Sequence, residues 1–329
     1  MSTKSSSVPA APAWEKIEEA HERVRPRIHR TPLVRSRTLD ALCEAELVFK
    51  CENLQKTGSF KIRGATNAVF SLSEEEASRG IVTHSSGNHG AAVACAAAWR
   101  GVPAWIVMPE NAPAVKSEAV GAYGGRITYC EPKVSARVAA AQRIERETGA
   151  VMIHPYDDDR IIAGQATAAK ELLEDSGELT AIFCPVSGGG LLSGTALSAK
   201  HLGPEIRVYG CEPAKADDAY RSLLTGTLQS TESSDTIADG LRASLAPRTF
   251  AILRELLSGV LLVTEEEIIG AMKLIWERLK VVTEPSSAIA LAPLLRPGAT
   301  ASLFPATARP RIGILLSGGN VDLRSLPFR

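Results

Sequence analysis

The sequence predicts an α/β fold: two open, twisted parallel-sheet domains with helices on both faces and a binding cleft between them. Two observations point there. Short β-branched runs alternate with longer helical patterns along nearly the whole chain, as parallel strands joined by helices require. The glycines gather in loops that follow those runs, and in folds of this class ligands bind at the carboxyl ends of strands. With 329 residues, 45% of them hydrophobic and 22% charged, the chain is long enough for one large domain or two moderate ones.

Taken in order, "GIVTH" (80–84) leads into the Ala-rich "NHGAAVACAAAW", and "AWIVMP" (104–109) into "PAVKSEAVGAYGG". "RITYC" (126–130) precedes "ARVAAAQRIERETGA", and "AIFCPV" (181–186) precedes "GLLSGTALSAKHL". "RVYGCEP" (207–213) and "RIGILLS" (311–317) complete the series. The polar, Pro/Ser-rich start, "MSTKSSSVPAAPAW", reads as a disordered tail over residues 1–14, with no apolar signal core.

Lys+Arg and Asp+Glu both number 37, so the formal net charge is zero. Nothing in that balance favours nucleic acid or an anionic membrane, and a small molecule in a pocket is the expected partner. The six cysteines (Cys43, Cys51, Cys95, Cys130, Cys184, Cys211) form no CxxC pair, which fits buried thiols in a reducing compartment. No apolar run reaches membrane-spanning length, and a cytoplasmic location is expected.

Two features carry chemistry. In "SGGGLLSG" (187–194) a strand ends, small residues allow close backbone approach, and a helix begins, which makes an anion site. Neither GxGxxG nor GKS/T is present, so dinucleotide and P-loop fingerprints do not fit. In "KTGSFKIRGA" (56–65), Lys61 lies between Phe60 and Ile62. Desolvation there depresses its pKa and makes it a candidate amine nucleophile or Schiff-base former; a lysine snorkelling from a helix start is the plainer alternative. A lysine together with a phosphate cradle suits pyridoxal phosphate.

These segments, with "THSSGNHG" (83–90), "EPAKADDAY" (212–220), "TIADGLR" (236–242), "TEPSSA" (283–288) and "LSGGNVDL" (316–323), occur in the order found in pyridoxal-phosphate enzymes of the serine/threonine dehydratase family. The chain resembles them from about residue 25 to residue 323, and among them it is most similar to the serine racemases. The resemblance implies fold-type II architecture (tryptophan synthase β-like), with the cofactor in the interdomain cleft. It divides the chain into a large cofactor-binding domain (15–75 and 155–329) and a small substrate-loop domain (76–154). It implies pyridoxal 5'-phosphate held as a Schiff base on Lys61, with Phe60 beside it. Asn88 is expected at the cofactor's phenolic oxygen, Ser187, Gly188, Gly189, Gly190 and Leu191 at its phosphate, and Ser317 at its pyridine nitrogen. A hydroxyl there makes the ring a weaker electron sink than a carboxylate would, which favours prompt loss of a β-substituent.

The same resemblance implies that Ser85, Ser86, Gly87, Asn88 and His89 grip the substrate α-carboxylate. Ser86 also matches the acid/base of racemases. Arg137 and Ala243 are expected near the substrate, a surface arginine being the alternative for Arg137. Glu212, the Ala216 carbonyl and Asp218 are expected to hold Mg²⁺ (or Ca²⁺ or Mn²⁺), hard cations suited to oxygen ligands. His84 and His154 read as structural. A homodimer is expected, with monomer or tetramer open.

The chain also departs from the racemase pattern. Ala91 stands where those relatives carry a glutamine that helps bind a regulatory nucleotide, which puts that regulation in doubt. Ala243 replaces a serine and Tyr156 an asparagine, so a less polar pocket is expected. The expected activity is a dehydratase (ammonia-lyase) acting on an L-3-hydroxy amino acid: threonine, serine, or a bulkier analogue such as 3-phenylserine. A serine racemase and a 3-hydroxyaspartate dehydratase are the alternatives.

Overall fold

In the computed structural model, residues 11–85, 87–112, 114–231, 235–307 and 309–328 are described. Among them the strands are β1 (Leu33–Val34), β2 (Glu46–Cys51), β3 (Ile81–His84), β4 (Ala104–Pro109), β5 (Arg126–Cys130), β6 (Val151–Met152), β7 (Ala181–Pro185), β8 (Arg207–Pro213), β9 (Gly259–Val263) and β10 (Arg311–Leu316). The principal helices are α1 (Trp14–Val24), α2 (Arg37–Leu42), α3 (Lys61–Phe70), α4 (Glu74–Ser78), α5 (Asn88–Arg100), α6 (Ala114–Ala122), α7 (Val134–Thr148), α8 (Asp159–Ser176), α9 (Gly190–Leu202), α10 (Asp218–Thr225), α11 (Pro247–Leu256) and α12 (Glu265–Leu279). None is long and apolar enough to cross a membrane.

The strands form two sheets, ordered β1-β2-β10-β7-β8-β9 and β5-β4-β3-β6. All pairs are parallel except β1 with β2, which are antiparallel. In the larger sheet β10 lies between β2 and β7, so Ile314 opposes Phe49 on one side and Phe183 on the other. These side chains are fully buried with Leu47, Ile289 and Phe304. Strands buried on both faces read as continuous apolar runs, which is why β7, β8 and β10 are legible in the sequence. β2 is not: "ELVFKC" carries Lys50, whose charge breaks the run although the residue is completely buried. β1 and β6 are two residues long and give no periodicity.

The Ala-rich α5 packs against β3 and β4, and small side chains let it lie close. Of the segment expected to be a tail, residues 1–10 lie outside the described region. Trp14 opens α1 and stacks on His201 with ring centroids 4.1 Å apart. The carboxyl ends of β3, β7 and β10 deliver the three glycine-rich loops, 85–90, 187–191 and 317–320.

Candidate active site

Lys61 is the first residue of α3, a helix whose N-cap, Phe60, has no side-chain cap. The preceding loop takes left-handed backbone at Thr57 (φ 62°) and Gly58 (φ 73°). It is strapped to the loop after β10: Phe60 N donates to the Ser317 carbonyl at 3.0 Å and Gly319 N to the Gly58 carbonyl at 2.9 Å. Lys61 Nζ donates to the Pro155 carbonyl at 3.1 Å and lies 5.1 Å from the centre of the Phe60 ring. Burial lowers its pKa to about 8, with the Glu284 carboxylate pulling the other way.

Asn88 opens α5 from the facing loop. Its Nδ2 donates to Glu284 Oε1 at 2.9 Å, and its Oδ1 accepts from Asn320 Nδ2 at 3.0 Å. Asn320 Nδ2 also donates to the Thr57 carbonyl at 2.8 Å. One hydrogen-bonded set thus joins the lysine loop, the β3 loop and the β10 loop. Glu284 is 3% exposed, and burial, with Asp239 nearby, raises its pKa to about 7. Beside this set opens a cavity of about 680 Å³ lined by Thr57, Gly58, Asn88, Ala91, Lys116 and Asn320. Lys116 pairs with Asp239 at its wall.

In the β3 loop, Ser85 Oγ accepts from Gly87 N at 3.2 Å. His89 is buried, and burial keeps its imidazole neutral, its pKa well below the usual range. Ser86 lies outside the described residues.

The loop 187–191 joins β7 to α9, a helix of 13 residues. First-turn N–H groups of such a helix have no intrahelical acceptor and face an anion favourably. Gly189 has φ 89°, and Thr249 Oγ1 donates to the Gly188 carbonyl at 2.8 Å. Ser187 Oγ accepts from Ala243 N at 3.1 Å and donates to the Ala243 carbonyl at 3.2 Å. A Cβ on Gly188 would stand 2.4 Å from ring carbons of Tyr156, and one on Gly190 would stand 3.0 Å from Tyr156 Cβ. Tyr156 follows Pro155, the acceptor of Lys61, so this one segment touches both the lysine and the glycine cradle. His154 Nδ1 accepts from Asp157 N at 2.8 Å, which leaves Nε2 as the protonated nitrogen. Burial lowers His84 and His154 to about 4, so both are neutral.

A half-buried lysine of lowered pKa, joined through Pro155 and Tyr156 to a glycine cradle at a helix N-terminus, has counterparts among known proteins. The model of the family described as pyridoxal-phosphate dependent enzyme matches residues 24–318. The chain belongs to the pyridoxal-phosphate-dependent enzyme family. It is 49% identical to a serine racemase of Dictyostelium discoideum, over 94% of this chain and 95% of that one. It is 46% identical to a β-hydroxyaspartate dehydratase of Paracoccus denitrificans, over 96% and 99%. The solved structure of maize serine racemase superposes with a TM-score of 0.93 at 47% identity, covering 96% of this chain and 95% of that one.

The residues present fit the cofactor of a pyridoxal-phosphate-dependent enzyme. Besides the lysine and the cradle, the Thr57 and Ser59 hydroxyls beside Lys61 are buried with no hydrogen-bond partner among the described residues. Ser317, 4% exposed, follows β10, and its carbonyl accepts from Phe60 N of the lysine loop. Ala243 and Tyr156, expected from sequence to make the pocket less polar, both lie against the glycine cradle.

Glu212 and Asp218 lie behind that cradle. Glu212 accepts from Ala219 N and Tyr220 N, both at 2.8 Å, and Asp218 Oδ2 accepts from Leu245 N at 2.9 Å. Both are at most 2% exposed, and burial raises their pKa values to about 8 and about 6. Two buried carboxylates held up in this way fit a cation. Among the described residues no three His, Cys, Asp or Glu side chains cluster as a metal set, so the expected donors are these two and the buried Ala216 carbonyl.

Arg137, on α7, has a buried Nε without a partner among the described residues, and its charge acts on His84 and Tyr156. Sequence reading gives no role to Glu284, Thr249, Asn320 or Pro155. Glu284 has a signal, since it lies in "TEPSSA". Pro155 acts through its backbone carbonyl, which no side-chain pattern reveals.

Proposed function

We infer that this chain is a pyridoxal-phosphate-dependent dehydratase that converts an L-3-hydroxy amino acid to a 2-oxo acid and ammonia. The carrying observation is Lys61: a half-buried amine of lowered pKa, held by the Pro155 carbonyl in the segment that also packs Tyr156 against the glycine cradle. When bound, pyridoxal phosphate supplies an electron sink that acidifies the Cα–H bond of an attached amino acid. The N–H groups from Ser187 to Leu191 would hold its phosphate, Asn88 its phenolic oxygen and Ser317 its ring nitrogen. Ser85, Gly87 and His89 bind the substrate carboxylate with Asn88. Lys61, neutral in part near pH 8, takes the Cα proton. Glu212, Asp218 and the Ala216 carbonyl hold a divalent cation that steadies the loop carrying Leu245 and Ala243.

One panel tests the reading: 2-oxo acid release from L-serine, L-threonine, threo-3-phenylserine and the 3-hydroxyaspartates. Lys61→Ala should abolish both turnover and the visible absorbance of bound cofactor. Release at the wild-type rate from that variant would refute the assignment. The similarity to proteins named serine racemase favours racemisation as the competing reading. Build-up of D-serine faster than pyruvate from L-serine would decide for it.

A second reading of the substrate rests on Arg137. A guanidinium with no acidic partner among the described residues, acting on both His84 and Tyr156, suits a substrate that brings a second carboxylate. This favours 3-hydroxyaspartate, and the 46% identity to a β-hydroxyaspartate dehydratase supports it. Arg137→Met should then raise the KM for 3-hydroxyaspartate about ten-fold or more while changing that for serine little. Equal changes for both substrates would remove this reading.

A further inference from the structure

Two residues after Lys61, Arg63 is completely buried with three other charged groups: Lys50, Glu52 and Glu171. All five N–H donors of its guanidinium are used. Nε donates to Glu52 Oε2 at 2.6 Å, and Nη2 to Glu52 Oε1 and Glu171 Oε2, both at 2.8 Å. Nη1 donates to Glu171 Oε1 at 2.9 Å and Thr167 Oγ1 at 3.1 Å. Lys50 Nζ completes the cluster on Glu171 Oε2 at 2.6 Å. Burial alone would raise the Glu171 pKa, but the bonds and charges of Arg63 and Lys50 bring it to about 2.

Such a cluster is weak evidence of stability, because apolar residues of the same volume often serve as well. What the fork adds is direction, since a planar guanidinium held between two carboxylates, on a stem with no free volume around it, restricts where its backbone can lie. That placement falls on the first turn of α3, which no side chain caps. Two further ties of this turn run to α8. Gly64 N donates to Gln165 Oε1 at 3.1 Å, and a Cβ on Gly164 would stand 2.6 Å from Gly64 Cα. The acceptor of Lys61, Pro155, lies four residues before α8 begins.

We propose that Arg63 is a positioning residue for the reaction: its buried fork onto Glu52 and Glu171 sets where Lys61 leaves the helix and brings its amine to the Pro155 carbonyl. The inference rests on the reading of Lys61 given above. Arg63→Lys keeps the charge and loses the fork; Lys50→Met breaks the same cluster without touching the fork. Each holoenzyme is compared in melting temperature, kcat, KM and the pH midpoint of the cofactor's visible band.

Both variants should lower the melting temperature. Only Arg63→Lys should move the midpoint, by about half a pH unit or more, and lower kcat by about ten-fold or more with KM changed less than about two-fold. Equal midpoints and equal kcat in the two variants would overturn the proposal. If Arg63→Lys does not fold, Thr167→Val removes one bond from Nη1. It should lower kcat about two-fold and shift the midpoint in the same direction, and no change in either would overturn the proposal. A Lys61→Ala protein that keeps the band defeats the reading of Lys61 itself. One that loses the band, while Arg63→Lys behaves as wild type, defeats only the role of Arg63.

Discussion

Gly188→Ala is the sharpest probe of the cradle. The φ of Gly188 lies outside the left-handed range, so its backbone would accept an alanine; what excludes one is the Tyr156 ring. The new Cβ would meet Cγ, Cδ1 and Cε1 of Tyr156, each 2.4 Å away. That is closer than packed carbons approach, so either the ring or the loop must move. Tyr156 is held by edge contact with His154 at 4.6 Å, and Gly188 by Thr249, so both resist. Overpacking of this kind costs about 1–3 kcal/mol. If the loop yields, that cost falls on cofactor binding and weakens the Kd by about 5- to 150-fold. Titration of cofactor-free protein with pyridoxal phosphate, followed by absorbance, reads this directly. Tyr156→Ala opens the space, so the double variant should bind better than the two single effects predict, by about 1–3 kcal/mol. A wild-type Kd for Gly188→Ala, or strictly additive effects in the double variant, would refute the argument.

Further outcomes follow from the same geometry. A neutral amine is the nucleophile that captures the cofactor, and burial lowers Lys61 to about 8. Recombination of cofactor-free protein with pyridoxal phosphate should therefore quicken as pH rises toward about 8 and level off above it. A midpoint near ~10 in stopped-flow absorbance would mean that Lys61 is solvated. If the proposed cation is bound, chelation should lower the melting temperature and Mg²⁺ should restore it, because the cation would neutralise the buried Glu212 and Asp218 carboxylates. Asp218→Asn should lose that response; a wild-type protein indifferent to chelator would dismiss the cation.

Much of the site is legible in the sequence because it is built from local features. A strand, a run of glycines and a helix start occupy consecutive residues, so "SGGGLLSG" reads as a phosphate-binding loop from its residues alone. Lys61 stands out in the same way, as a charge set among apolar neighbours. Strands β7, β8 and β10 announce themselves because burial on both faces needs unbroken apolar runs. Lys50 defeats that rule in β2, since the charge that hides the strand is neutralised by Glu171, which lies 121 residues further along the chain. The packing of Tyr156 on the cradle is not legible, because Gly188 lies far along the chain and has no side chain to betray the partnership.

The chemical class of this protein is written in its local sequence: the alternation that makes parallel sheets, the cradle, the lysine and so the cofactor. These follow from hydrophobic periodicity and backbone freedom, which act over a few residues. Which groups surround the lysine is settled by tertiary structure alone. Pro155, Glu284, Asn320 and the buried fork of Arg63 come from four separate segments, brought together by sheet register and helix packing. A hydrogen bond or a buried ion pair depends on ångström distances between such segments, and those distances exist only once the whole core has closed.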